Sequence, residues 1–138
     1  MHHLNYWAVL VSTVAIFALG GLWYSPALFS KRWVALMGKS DEEMKAASAG
    51  SPMPLLLLGA FLCGLLISFA MAVVVSHFPP HNAVRGIEIG VFCWIGFAAS
   101  TSLATALFSM APKQLWMINS GYNLVSFVIA GLITSVWR

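Results

Sequence analysis

The stretch LLLLGAFLCGLLISFAMAVVVSHF, residues 55–78, contains no Asp, Glu, Lys or Arg. A helix needs about 20 mostly apolar residues to cross roughly 30 Å of hydrocarbon. Inside lipid every backbone polar group has to find a partner within the protein, and a continuous apolar run does so as a helix. This stretch therefore predicts a transmembrane helix.

Three further apolar runs have the same character, at residues 6–24, 83–110 and 114–137. The connections HFPPHN and APKQ are so short that the helices on either side of each are expected to be antiparallel neighbours. The sequence predicts an all-α fold, a single integral membrane domain over residues 1–138 built as a four-transmembrane-helix bundle. Its main partner would be the lipid bilayer.

Composition excludes several other classes of protein. Hydrophobic residues make up 60% of the chain and charged residues only 8%, whereas soluble domains average about 25% charged residues. The net charge of +3 comes from Lys and Arg at the ends of apolar runs, so nucleic acid is not an expected partner. Cys63 and Cys93 lie inside predicted spans without zinc-site spacing, and we interpret them as small buried hydrophobes.

The longest connection, residues 26–54, contains two short helical patterns. ALFSKRWVALMG, residues 27–38, places apolar side chains at helical spacing around Lys31 and Arg32, which is typical of an amphipathic helix lying at the membrane interface. Ser40, followed three residues later by Glu43, forms a capping box and predicts a polar helix to about residue 49.

The distribution of Lys and Arg predicts the orientation. The first and third connections carry Lys31, Arg32, Lys39, Lys45 and Lys113, and the other side carries Arg85 and Arg138. Cytoplasmic loops are enriched in these residues. We expect the 26–54 loop in the cytoplasm and both termini outside.

Several short motifs carry a family resemblance. They are Asn5, the GLWYSP segment with Trp23, Tyr24, Ser25 and Pro26, then Phe29 and Trp33, WIGF at 94–97, and INSGY at 118–122. Through these motifs the chain resembles, over essentially its whole length, the small membrane proteins catalogued as domain of unknown function 1761. The resemblance implies a four-helix integral membrane protein, mostly bacterial and so in the cytoplasmic membrane, and it implies no activity.

Polar residues in the last two spans form the first candidate site. Its residues are Thr101, Thr105, Asn119, Tyr122, Asn123 and Ser126. Antiparallel pairing through a tight turn predicts that Asn119 lies level with Thr105, and Asn123 with Thr101. The cluster is either a small binding pocket or pathway, or a set of hydrogen bonds that hold the helices together.

Span three contains two further features. Glu88 is the only acid in a predicted span, so it is either a proton-coupling site or half of an interfacial ion pair with Arg85, three residues earlier. Gly86 and Gly90 form a GxxxG motif, which predicts close helix packing within the chain or between chains of a homo-oligomer.

No catalytic motif or cofactor motif is present, and the scattered histidines do not form a metal site. We expect a non-enzymatic membrane protein that acts through helix packing, as a homo-oligomer or as the partner of another membrane protein. Two alternatives stay open. One is a small transporter with a polar path along spans three and four. The other is a lipid- or small-molecule-binding protein in which Trp94 and Tyr122 line a pocket.

Overall fold

The computed structural model describes residues 4–23, 30–37 and 53–137. It contains helices α1 (Tyr6–Trp23), α2 (Ser30–Met37), α3 (Met53–Ser76), α4 (Ala83–Cys93), a π-helical segment (Trp94–Ala99), α5 (Ser100–Phe108) and α6 (Lys113–Val136). Helix α4, the π-helical segment and α5 follow one another without a break and form span three, Ala83–Phe108.

The all-α prediction is confirmed for these residues. Four helices are long and apolar enough to cross a membrane: Tyr6–Trp23, Pro54–Ser76, Ala83–Phe108 and Lys113–Val136. Helix α2 lies within the segment expected to be amphipathic. The polar helix expected between residues 40 and 49 lies outside the described residues.

Many large apolar side chains are exposed, and the buried polar residues in the described part of the chain are all Ser or Thr. Leu66, Phe92 and Phe108 are 68%, 73% and 91% exposed. The buried polar residues are Ser12, Thr13, Ser68, Ser76, Ser120, Ser126, Thr134 and Ser135. Such a surface is unfavourable in water, but it suits lipid, where small polar residues favour close helix packing. The distribution supports a membrane protein.

Helix α6 lies at the centre of the bundle and contacts α1, α3 and α4. The core cluster joins these helices and consists of Ile16, Met71, Val75, Ile89, Cys93 and Ala130. Helices α3 and α4 are neighbours in sequence, yet they touch at few positions because α4 packs mainly on α6. A gap between α3 and α4 results.

Glycines bring α4 and α6 into backbone contact. A Cβ added at Gly86 would overlap the Gly131 carbonyl, and one added at Gly131 would overlap the Gly86 carbonyl. One turn along α4, a Cβ at Gly90 would lie only 2.7 Å from the Phe127 carbonyl oxygen. The Gly86–Gly90 face is thus occupied within the chain, and a contact between copies would have to use another surface.

Asn82 caps the start of α4. Its side-chain oxygen accepts a hydrogen bond from the Arg85 backbone N–H at 2.8 Å, and its backbone carbonyl accepts one from Ser135 Oγ at 2.8 Å. The residue therefore caps the first turn of α4 and ties it to the last turn of α6.

We expect Asn82→Ala to lower the free energy of unfolding by about 1 kcal/mol, because it removes the cap. Asn82→Ser retains a capping oxygen and should cost only a few tenths of a kcal/mol. Thermal unfolding in detergent, followed by circular dichroism, measures both. Equal losses in the two variants would show that capping is not what Asn82 contributes.

Candidate functional site

Span three packs tightly in its first half and loosely in its second. Helix α4 contacts α6 along most of its length, whereas α5 contacts it at few positions and has no buried residue. The π-helical segment separates the two halves. Such segments shift the register of the following side chains and occur often at functional sites.

An open groove of about 420 Å³ lies between α5 and α6, and we call it the polar groove. Its walls are formed by Thr101, Ser102, Thr105, Ala106, Ser109, Ala111, Leu115, Trp116, Asn119, Ser120 and Asn123. The volume is within the range of ordinary ligand pockets, roughly 300–1,000 Å³. Hydroxyl and amide groups and the indole N–H of Trp116 supply its side-chain polarity, and none of the described residues that line it is charged.

The structure brings together four of the six residues proposed from the sequence. Thr101, Thr105, Asn119 and Asn123 all line the polar groove. Tyr122 points elsewhere, since its hydroxyl donates a hydrogen bond to the Ile16 carbonyl on α1 at 3.1 Å.

Ser126 is the sixth of those residues and also lies apart from the groove. It is buried, and its hydroxyl donates to the Tyr122 carbonyl at 2.8 Å. Successive side chains on α6 point about 100° apart around the helix axis. Polar residues that are close in the sequence of α6 therefore face different neighbouring helices.

The hydroxyls of α5 use their hydrogens within their own helix. Thr105 Oγ1 donates to the Thr101 carbonyl at 3.1 Å and Ser109 Oγ to the Thr105 carbonyl at 2.8 Å, and Thr101 donates in the same way to Phe97. Each oxygen keeps lone pairs that accept hydrogen bonds. This side of the groove is therefore an array of acceptors.

Ser120, in the wall of the polar groove, has a buried hydroxyl without a hydrogen-bond partner among the described residues. The residue is 2% exposed. A buried hydroxyl without a partner costs roughly 1–3 kcal/mol. A group that occupied the groove and bonded to Ser120 would recover this energy.

Aromatic side chains make the hydrogen bonds that cross between spans at this end of the bundle. Trp23 Nε1 donates to the Ile118 carbonyl at 2.9 Å, and Trp94 Nε1 donates to the Ser120 carbonyl at 3.0 Å. Sequence reasoning identified Trp23 as part of the WYSP motif and did not foresee these bonds. The available signal was the indole N–H, which needs an acceptor when it is buried.

The Ser and Thr residues expected to join the helices mostly bond within their own helix. Thr13 donates to Val9 at 2.7 Å and Thr134 to Ala130 at 2.6 Å. Trp116 Nε1 does use a hydroxyl across helices, donating to Ser102 Oγ at 3.0 Å. Small hydroxyl residues thus mainly allow close packing. Aromatic donors supply several bonds between helices, and the Ser135 hydroxyl supplies one to the Asn82 carbonyl.

Glu88 lies far from the polar groove. Its carboxylate is 3.6 Å from the Arg85 guanidinium, in the ion pair that the spacing predicts. Thirteen residues separate Glu88 from Thr101, about 20 Å along a helix. Glu88 lines the gap between α3 and α4 instead, and it is not among the residues that line the polar groove.

The backbone contact between α4 and α6 lies beyond the polar groove. Past Asn123, the Phe127 carbonyl packs against Gly90 so closely that a methyl group would not fit. Trp94 donates its indole N–H to the Ser120 carbonyl on α6, whereas the Tyr122 hydroxyl donates to the Ile16 carbonyl on α1.

The structure describes only the first residue of the WYSP motif. Trp23 of the WYSP motif lies at the end of α1, whereas Tyr24, Ser25 and Pro26 lie outside the described residues. Within the described part of the chain, no three His, Cys, Asp or Glu residues approach closely enough to hold a metal ion.

Comparison with known families gives one match. The model of the family described as "Protein of unknown function (DUF1761)" matches residues 7–135. No curated protein and no solved structure matches the chain.

Proposed function

The chain belongs to the family described as Protein of unknown function (DUF1761), and we propose that it is a non-enzymatic integral membrane protein that self-associates through α5 and the polar groove. The four apolar helices support the membrane location. The distribution of Lys and Arg supports an orientation with the 26–54 loop in the cytoplasm and both termini outside. The family resemblance supports a bacterial cytoplasmic membrane.

The observation that carries the proposal is the exposure of α5. This helix ends a candidate membrane span and has no buried residue, although Thr101, Thr105 and Ser109 follow one another along it at four-residue spacing. Small polar residues at this spacing allow two helices in lipid to approach closely. A partner helix would remove the hydroxyls from contact with acyl chains.

A second copy of the chain suits this surface chemically. The α5 hydroxyl oxygens are acceptors, and the opposite wall of the groove carries the side-chain amide of Asn123, which contains N–H donors. Two copies related by a two-fold axis normal to the membrane would place each α5 against the other groove. Acceptors of one copy would then face donors of the other.

Cysteine cross-linking tests the arrangement directly. In a background with Cys63→Ala and Cys93→Ala, Thr105→Cys lies near the proposed axis and is expected to form a disulfide-linked dimer upon oxidation in native membranes. Ala60→Cys is the matched control, because Ala60 is exposed on α3, away from the proposed interface. Equal cross-linking at both positions, or none at Thr105→Cys, contradicts the proposal.

The association constant provides an independent measurement. We expect Thr105→Leu to weaken dimerisation roughly ten-fold, since it removes a hydroxyl and adds bulk at the contact. Ala60→Leu should leave it unchanged. Native mass spectrometry in lipid nanodiscs reports the populations of monomer and dimer, and a monomeric wild-type protein would overturn the assignment.

Ser120 favours a second candidate function, the binding of a small uncharged molecule in the same groove. Its buried and unpartnered Oγ would then bond to the ligand. The same mass spectra distinguish this function, because the wild-type monomer would carry a discrete added mass. That mass would be lost in Ser120→Ala and in Asn123→Ala, but retained in Ala60→Leu.

A further inference from the structure

A second groove, of about 560 Å³, lies at the other end of span three. It occupies the gap between α3 and α4, and we call it the apolar groove. Its walls are Val74, Phe78, Arg85, Glu88, Ile89, Phe92, Cys93 and Phe97. Six of these are apolar, and the two charged residues form the Arg85–Glu88 pair.

The apolar groove has the dimensions of a lipid chain. From Arg85 to Phe97 it extends along the helix for twelve residues, about 18 Å at 1.5 Å per residue. One leaflet of hydrocarbon is roughly 15 Å thick, half of the 30 Å core. An acyl chain that followed the groove from the Arg85 end would therefore reach about the middle of the bilayer.

The charged residues lie at the end of the groove near the membrane surface. Arg85 is two residues into α4 from Ala83, about 3 Å along the axis. Its distance of 3.6 Å from the Glu88 oxygen is longer than the 2.7–2.9 Å typical of a charge-assisted hydrogen bond. The side chains are 41% and 59% exposed, so both charges remain accessible to a ligand.

The pair offers one positive and one negative charge side by side. A guanidinium matches the geometry of a phosphate oxygen pair, and a carboxylate accepts hydrogen bonds from an ammonium group. Phosphoethanolamine presents both groups, a phosphate and a primary ammonium a few bonds apart. A choline headgroup lacks the N–H donors, and a glycerol headgroup lacks the positive charge.

We propose that the apolar groove is a binding site for one phospholipid with an ethanolamine headgroup, whose phosphate binds Arg85, whose ammonium binds Glu88 and whose acyl chain lies between α3 and α4. The site is separate from the polar groove and does not depend on the self-association proposed above. In this proposal Glu88, the acid in span three, binds the lipid ammonium group and transfers no proton.

Lipid competition provides the test. Purified, delipidated protein is reloaded with an equimolar mixture of dioleoyl phosphatidylethanolamine, phosphatidylglycerol and phosphatidylcholine, and the retained lipids are counted by native mass spectrometry. Wild-type protein is expected to retain the ethanolamine lipid preferentially. Arg85→Gln should reduce retention of all three phospholipids, by roughly five- to ten-fold, because the phosphate loses its charged partner.

The two neutralising variants should behave differently. Glu88→Gln leaves Arg85 without its neighbouring acid, so the preference for ethanolamine over glycerol headgroups should fall by about three- to five-fold, the size expected for an exposed ion pair. Lys113→Gln, at the start of α6, removes the same charge as Arg85→Gln and is its control. It should leave both the retention and the headgroup preference unchanged. Unfolding temperatures of all variants establish that the fold is intact.

Three results would overturn the proposal. The first is retention that is unaffected by Arg85→Gln in a folded protein. The second is an identical headgroup preference in the wild type and in Glu88→Gln. Loss of lipid in Thr105→Leu would indicate the polar groove as the binding site instead, and would equally reject the apolar groove.

Discussion

Gly131→Ala is expected to lower the free energy of unfolding by about 1–3 kcal/mol, although one methyl group is all that it adds. The new Cβ would overlap the Gly86 carbonyl and lie 3.3 Å from Met71 Cε. The Gly86 carbonyl is backbone and cannot rotate away as a side chain would. Helices α4 and α6 would have to separate, and the core contacts around them would weaken.

The same substitution elsewhere in the chain isolates this effect. A Cβ at Gly59 in α3 or at Gly96 in the π-helical segment would meet no atom within 4 Å. In an exposed helix, Ala is favoured over Gly by up to about 1 kcal/mol, so Gly59→Ala should be neutral or slightly stabilising. Unfolding by a denaturing detergent, monitored by circular dichroism, gives the free energies of unfolding of the wild type and of both variants. Equal stability of Gly131→Ala and Gly59→Ala would disprove the backbone contact.

Trp94→Ala should destabilise the protein by about 3 kcal/mol, at the lower end for removing a large aromatic side chain because Trp94 is only partly buried. Trp94→Phe retains most of the ring and removes the indole N–H, which donates to the Ser120 carbonyl. We expect it to cost about 1 kcal/mol, in the range measured for hydrogen bonds between membrane helices. The difference between the variants separates packing from hydrogen bonding.

Phe108 provides the control for ring removal. It is 91% exposed at the end of α5, where its ring would face lipid or the interface. Phe108→Ala should therefore change the unfolding free energy by less than about 0.5 kcal/mol. If Trp94→Ala cost no more than Phe108→Ala, Trp94 would not join span three to α6, and the packing at the π-helical segment would need another explanation.

The candidate polar site was predictable in part. Thr101, Thr105, Asn119 and Asn123 share a groove because a short turn between two helices fixes which residues lie at equal depth. Tyr122 belongs to the same sequence pattern, but its hydroxyl bonds to Ile16 on α1. The side of α6 on which α1 packs depends on contacts between residues far apart in the sequence.

The surroundings of Glu88 and of the glycines were likewise only partly predictable from the sequence. Sequence spacing predicted that Glu88 would pair with Arg85, since both lie on one face of one helix. It did not predict that α4 would leave α3 and pack on α6, which opens the apolar groove beside Glu88. Nor did the GxxxG motif reveal that its partner would be Gly131 of the same chain.

The sequence by itself determined four apolar helices, their approximate ends and the short turns that make neighbours antiparallel, because lipid requires each span to satisfy its own backbone hydrogen bonds. Only the tertiary structure decided that α6 is central, that aromatic N–H groups join the spans and that span three borders two different grooves. These features arise from contacts between side chains and carbonyls on different helices. Such contacts depend on how the helices turn and cross, and hydrophobic pattern alone leaves both undetermined.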